Sequence, residues 1–247
     1  MPAWRDSTLG TPIQEMDVFV VNLKSREDRR FHALKESQKY ELSIKFVEAV
    51  ESGSIDPANL GFLTAPALAC WKSHLKAFNL VASSKNHVCL ILEDDFEFED
   101  FHKIQRILRN IDLKDWDIIQ IGFLTHDFKE WISIKLQNLE FLLFALIARL
   151  STKIWPENEG LNRKLRVRRA KNVPLSFVPD DLRAGAHAYI IGEKCAQNMI
   201  MEHSEQRVLT SDGLLIATNW TKPYKTLRLR KSLVRQISSE SSIKGYQ

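Results

Sequence analysis

Cysteine is scarce in this chain of 247 residues: Cys70, Cys89 and Cys195 are the only three, widely spaced and each in an apolar setting. They form neither a disulfide framework nor a zinc-type cluster, so a reducing compartment is expected. The opening Met1-Pro2-Ala3-Trp4-Arg5-Asp6 contains no apolar h-region, which argues against a secretory signal. The strongly apolar stretch at 139–150 carries Glu140 and Arg149 and is too short to span a bilayer. Internal repeats and low-complexity tracts are absent as well. What is present is ordinary for a globular chain, 44% hydrophobic and 27% charged. That length suits one full-sized α/β core or two small ones.

The net charge of +4 is unevenly spread. Residues 1–148 hold 17 Lys and Arg against 22 acids, a balance of −5, whereas residues 149–247 hold 18 against 9, a balance of +9. An acidic front and a basic back suggest a polyanionic partner or an anionic membrane surface. The run Arg163-Lys164-Leu165-Arg166-Val167-Arg168-Arg169-Ala170-Lys171 follows the apolar stretch. Together, residues 139–171 read as an interfacial anchor for an anionic leaflet, or as a core helix followed by a solvated basic loop. The run lacks interleaved aromatics, so nucleic acid is not the expected partner.

The most informative stretch is Val88-Cys89-Leu90-Ile91-Leu92-Glu93-Asp94-Asp95-Phe96-Glu97-Phe98. Its apolar start reads as a strand buried on both faces. Three carboxylates cannot share that burial, because desolvating unpaired charge costs more than the strand gains. The acids therefore belong in a cleft at the strand's carboxyl end, where open α/β sheets bind ligands. Alternation puts Glu93 and Asp95 on one side and Asp94 on the other. Crowded acids of this kind either hold a hard divalent cation through oxygen ligands or form a solvated acidic turn.

Met16-Asp17-Val18-Phe19-Val20-Val21-Asn22-Leu23 reads as a first central strand, followed by a helix to about Tyr40 with Ser25 as N-cap and Asp28 completing a capping box. Arg26, Arg29 and Arg30 stand just beyond the strand, able to hold a diphosphate or to pair locally with neighbouring acids. A second strand is expected at 44–50. Thr64 and Pro66 open a helix whose Leu68, Trp71, Leu75 and Phe78 face the core. Ser73 and His74 lie off that stripe, and no acid at a triad-like position accompanies them. Residues 104–111 read as a helix with Gln105, Arg106 and Arg109 on its wet side, and residues 116–122 as another buried strand. The order to this point is β-α-β-α-β-α-β, which implies a mostly parallel sheet with right-handed crossovers. Residues 183–192 read as a later strand and 193–200 as a helix. Leu209-Thr210-Ser211-Asp212-Gly213-Leu214-Leu215 sets a lone acid in a turn, and a basic tail carries Lys222, Lys225, Arg228, Arg230, Lys231 and Arg235.

These pieces together resemble glycosyltransferase family 25, the lipooligosaccharide-biosynthesis enzymes whose relatives include the procollagen galactosyltransferases. The likeness rests on the order of Val18-Phe19-Val20-Val21-Asn22-Leu23 with its arginines, of Leu63-Thr64 through Cys70 with Ser73-His74, of Ile91-Leu92-Glu93-Asp94-Asp95, and of Gly185-Ala186-His187-Ala188-Tyr189-Ile190-Ile191. Ser211-Asp212-Gly213-Leu214-Leu215 is a weaker fifth. Pro66-Ala67 and Ala69 depart from the Gly-Glu and Gly usual before the family's cysteine.

The resemblance implies an α/β fold of GT-A-like, Rossmann-like type, a single domain at 17–235 with an insertion at 139–171, an extension at 1–16 and a mobile tail at 236–247. It implies inverting transfer of a sugar, most often galactose, from a UDP-sugar to a lipid-linked oligosaccharide acceptor, at the cytoplasmic face of a membrane. Mn²⁺ or Mg²⁺ would be held by Glu93 and Asp95. Asn22, Arg26, Arg29, Ser73, His74 and Asp94 would line the donor. One-step inversion needs a base; Asp212 is assigned to it, with Asp181 or Asp180 as the fallback.

Overall fold

The computed structural model describes residues 12–124, 173–205, 208–218 and 224–237. The apolar and basic stretch at 139–171, the first eleven residues and residues 238–247 lie outside the described residues. Nine strands form one sheet: β1 (Asp17–Asn22), β2 (Ile44–Glu48), β3 (Val88–Glu93), β4 (Phe96–Phe98), β5 (Ile118–Gly122), β6 (Phe177–Pro179), β7 (Ala188–Gly192), β8 (Thr226–Leu229) and β9 (Val234–Gln236). Five α-helices are described, α1 (Glu27–Gln38), α2 (Ala65–Ala82), α3 (Phe101–Leu108), α4 (Glu193–His203) and α5 (Ser211–Ala217).

The main path of the sheet runs β2-β1-β3-β7-β5-β8-β6. β1 pairs in parallel with β2 and β3, and β5 with β8. β7 is antiparallel to both β3 and β5, which leaves those two running the same way. The strands read from the first half of the sequence thus share one direction, as expected. The sheet as a whole is mixed, because β7 wedges between β3 and β5, β6 pairs antiparallel with β8, and β4 with β9.

Alternation along the strands sorts the core into two layers. Phe19, Val21, Cys89, Ile91, Tyr189 and Ile191 face α2 and α4, while Val18, Val20, Leu90, Leu92, Ala188 and Ile190 face α3 and the other side. Leu90, Ile91 and Leu92 are all fully buried, which is why their segment shows no polar position before Glu93. At a coefficient of about 25 cal/mol per Å² of apolar area, burying each such side chain contributes roughly 2 kcal/mol.

α2 is capped as expected, Thr64 Oγ1 accepting from the Ala67 N–H at 3.4 Å. It is buried on more than one stripe. Leu68, Trp71, Leu75 and Phe78 are inside, and so are Ser73 and His74, because α2 packs against both the sheet and α4, where Trp71 Nε1 donates to the His203 carbonyl. α1 begins one residue later than the capping box implies. Arg26 is its N-cap, without a side-chain cap, and Ser25 Oγ instead donates to Glu51 at 2.7 Å. Gln105 is not on a wet face, since its Oε1 accepts from the buried N–H of Ile13. Ile13 and Met16 are themselves in the core, so the domain reaches back past residue 17.

The end of the chain departs furthest from expectation. Arg228 is fully buried in β8, and Gln236, placed in a mobile tail, is the last residue of β9. β9 pairs with β4 through Phe98↔Val234 and touches β5 at Gly122, so the last described strand helps to close the acidic turn.

Before β7, Gly185 adopts φ +108°, and a Cβ there would sit 2.7 Å from the Leu124 nitrogen. Both the conformation and the space demand glycine. Gly185→Ala is expected to lower unfolding free energy by about 1–3 kcal/mol, read as a lower urea midpoint with an unchanged m-value.

Candidate active site

β3 ends at Glu93, and Asp94 and Asp95 form the turn into β4. Strand parity continues only as far as Glu93, which therefore lies on the α2 face beside His74 (Nε2 to Oε1, 3.5 Å). Past that residue the alternation stops, so Asp95 does not simply repeat Glu93's orientation. It shares Gln236 with Glu93, the Gln236 Nε2 donating to Glu93 Oε2 at 2.8 Å and to Asp95 Oδ1 at 3.3 Å. It also shares Arg29 with Asp94, both at 3.2 Å from Nη1. Asp94 accepts from Asn22 Nδ2 at 2.8 Å.

The first-strand residues are thus brought to the acids, though unequally. Asn22 bridges Asp94 and the Arg26 carbonyl. Arg29 is nearly buried between Asp94 and Asp95. Arg26 is more exposed and makes a two-pronged pair with Asp28 at 2.9 and 2.7 Å. Arg30 lies over the Phe46 ring, 3.9 Å from its centroid, away from the acids. Burial raises the Asp94 carboxyl, against the pull of Asn22 and Arg29. Burial would also raise Glu93, but His74 above all, then His187 and Arg29, bring it below the usual carboxylate range.

His74 is buried, with Nδ1 2.8 Å from the Tyr189 hydroxyl. Burial alone would lower its pKa; Tyr189, Cys70 and Glu93 outweigh that and hold it well above 6.5. Ser73 does not face the acids. Its hydroxyl donates to the Ala69 carbonyl and accepts from the Val50 N–H, joining α2 to the end of β2.

Asp212 lies in the first turn of α5, behind the N-cap Thr210, rather than in a free turn. Its buried carboxylate feels the backbone N–H groups of Gly185 and Ala186 and the charges of Glu93 and His74. Burial, with Glu93 adding to it, raises its pKa. The neighbouring loop is clamped by Gln120, whose Nε2 donates to the Arg183 and Gly185 carbonyls and whose Oε1 accepts from the Arg183 N–H. Asp181 sits elsewhere, committed to buried Arg228 at 2.5 Å and to Arg183 at 3.4 Å. Asp180, at φ +50°, is held by its N–H to the Thr226 carbonyl. The two fallback acids are therefore parts of the β6–β8 edge.

A hard cation needs converging oxygens. Glu93 and Asp95 supply them, since one amide nitrogen already reaches both. Oxygen donors of this kind are the type that hard cations such as Mn²⁺ or Mg²⁺ take. Asp94 is turned toward Asn22 and Arg29. Sequence reasoning passed over Cys70, Gln120, Tyr189 and Gln236. Two of them carried a signal: Cys70 stands four residues before His74 on one helix face, and Gln120 is polar within a buried strand.

The architecture defines a class, an α/β domain with its acidic turn at the carboxyl ends of co-directed strands, where such domains bind ligands. Within that class the chain belongs to glycosyltransferase family 25: the family described as "Glycosyltransferase family 25 (LPS biosynthesis protein)" matches residues 16–215. It is similar to procollagen galactosyltransferase 2 of Homo sapiens, 30% identical over 127 residues, covering 43% of this chain and 20% of that protein. Procollagen galactosyltransferase 1 of Danio rerio is also 30% identical, covering 43% of this chain and 21% of that protein. The inactive glycosyltransferase 25 family member 3 of Homo sapiens is 27% identical over 142 residues, covering 49% of this chain and 23% of that protein. The matched region is thus about a fifth of the length of these curated relatives.

Asp181→Ala would leave the Arg228 guanidinium buried without its carboxylate. A loss of about 3–5 kcal/mol in unfolding free energy is expected. Any fall in activity should then disappear when turnover is normalised to the folded fraction measured by circular dichroism.

Proposed function

We propose that this chain transfers a hexose, galactose in the first instance, from a UDP-sugar to a glycan acceptor with inversion, within a GT-A-like domain. The observation that carries the reading is the meeting of three groups at one end of the sheet. They are the acids at the end of β3 and in the turn behind it, Asn22 at the end of β1 with Arg29 of α1, and Asp212 with its raised pKa. The names of the relatives support galactose, and the family's description supports a lipopolysaccharide-type, lipid-linked acceptor. Such an acceptor favours work at the cytoplasmic face of a membrane, with residues 139–171 as the contact. Among the described residues no helix is long and apolar enough to cross a membrane.

In the proposed reaction the acceptor hydroxyl gives its proton to Asp212 as its oxygen bonds to the anomeric carbon. The bond from that carbon to the diphosphate oxygen breaks, and UDP leaves with the electron pair. Mn²⁺ or Mg²⁺ held by Glu93 and Asp95 would neutralise the diphosphate. Asn22 and Arg29 hold the acidic turn in shape, and Arg26 is more exposed than Arg29, so a phosphate can compete with Asp28 for its guanidinium. His74 keeps Glu93 ionised. A base is best placed when its pKa approaches the working pH, and burial moves Asp212 in that direction.

Asp212 must be deprotonated to act, so kcat/KM should fall as pH drops through its raised pKa, on a limb above 3.8. Asp212→Asn is expected to reduce kcat by about 10²–10⁴-fold and to abolish that limb, with UDP release as the assay. Near-normal turnover would remove the assignment. Asp95→Asn should weaken cation-dependent UDP binding by more than roughly tenfold in calorimetry, with the circular dichroism spectrum preserved. Unchanged binding would refute the cation role.

A second reading, a domain that binds a donor without turning it over, is favoured by Pro66-Ala67 and Ala69 before Cys70 and by an inactive relative. UDP binding without release of UDP from any UDP-sugar, with or without Mn²⁺, would select it.

A further inference from the structure

The side chains on the α2 face of the acidic turn form a second kind of site. Among the described residues, Cys70, His74 and Glu93 are the one group of three whose sulfur, nitrogen and oxygen atoms all lie within 4.8 Å of one another. Cys70 and His74 are four residues apart, so α2 presents both on one face. β3 delivers Glu93 opposite them through its strand parity.

We propose that Cys70, His74 and Glu93 bind a borderline-soft divalent cation, Zn²⁺ being the best match, in a site distinct in chemistry from the oxygen-lined pair Glu93 and Asp95. Thiolate, imidazole and carboxylate together are a zinc-type donor set, whereas hard cations prefer oxygen alone. The His74 Nε2 is the independent pointer. The ring is 1% exposed, and this nitrogen has no hydrogen-bond partner although it faces Glu93 Oε1 at 3.5 Å. That nitrogen's proton is only loosely met by Glu93, and a cation taking its place would release it, imidazole binding metal in its neutral form.

Each ligand also has an outer partner that fixes its orientation. The other ring nitrogen of His74 is 2.8 Å from the Tyr189 hydroxyl, Glu93 Oε2 accepts from Gln236 at 2.8 Å, and Cys70 Sγ lies 3.4 Å from Ser211 Oγ. Such supports are characteristic of metal ligands. Three protein ligands leave a fourth position for water or a substrate atom. Glu93 belongs to both sites, so occupation by zinc would draw it away from Asp95. This inference does not depend on sugar transfer and holds for a domain that never turns over.

The test uses the full chain loaded with Co²⁺ in place of Zn²⁺. A near-ultraviolet thiolate-to-cobalt charge-transfer band is expected in the unmodified chain, lost in Cys70→Ser and kept in Cys195→Ala. Tyr189→Phe should weaken zinc binding about tenfold in competition with a chromophoric chelator. No band in the unmodified chain, or a band that Cys70→Ser leaves in place, overturns the proposal. Should Cys70→Ser fail to fold, zinc K-edge absorption of the unmodified chain decides: one sulfur at about 2.3 Å supports the site, and a shell without sulfur overturns it.

Discussion

Consecutive carboxylates can stand at the end of a buried strand only if other groups take up their charge. Here that condition organises one whole end of the molecule. Arg29 pairs with Asp94 and Asp95, Asn22 donates to Asp94, Gln236 joins Asp95 to Glu93, and His74 faces Glu93. Those four partners come from α1, β1, β9 and α2, spread over more than two hundred residues of chain. Without them the acids would repel one another, and the turn between β3 and β4 would have no reason to keep its shape.

The same neighbourhood assigns different electrostatic states to its acids. Glu93 is held ionised by the imidazole beside it, while Asp212 is pushed toward protonation by burial and by Glu93 itself. Two carboxylates driven apart in this way can divide the work of holding charge and of taking a proton. The loop beside Asp212 is fixed by its own contacts: Gln120 clamps residues 183–185, and Gly185 makes the close turn. A polar residue inside β5 thus serves the site from a distance.

Much of this was legible in the order of residues. β1, β3 and β5 announce themselves because a strand buried on both faces needs unbroken apolar runs, and the acids after Leu92 mark where burial stops. Thr64 with Pro66 marks the start of α2 for an equally local reason. The errors are informative. Gln105 and Arg228 look like surface residues by type, yet each is buried against a distant partner, the Ile13 N–H for the Gln105 oxygen and the Asp181 carboxylate for Arg228. Ser25 reads as a cap, but Glu51 takes its hydroxyl.

By itself, then, the sequence determined the local elements, the direction shared by the early strands and the position of the acidic turn. Those depend on periodicity and burial within single segments. Only the tertiary structure decided which acids meet which partners: that Asp212 joins Glu93 while Asp181 joins Arg228, that β7 enters antiparallel, and that β9 returns to the acids. Pairings of this sort join residues tens to hundreds of positions apart. Such contacts leave little local trace, because they arise only once the chain has closed on itself.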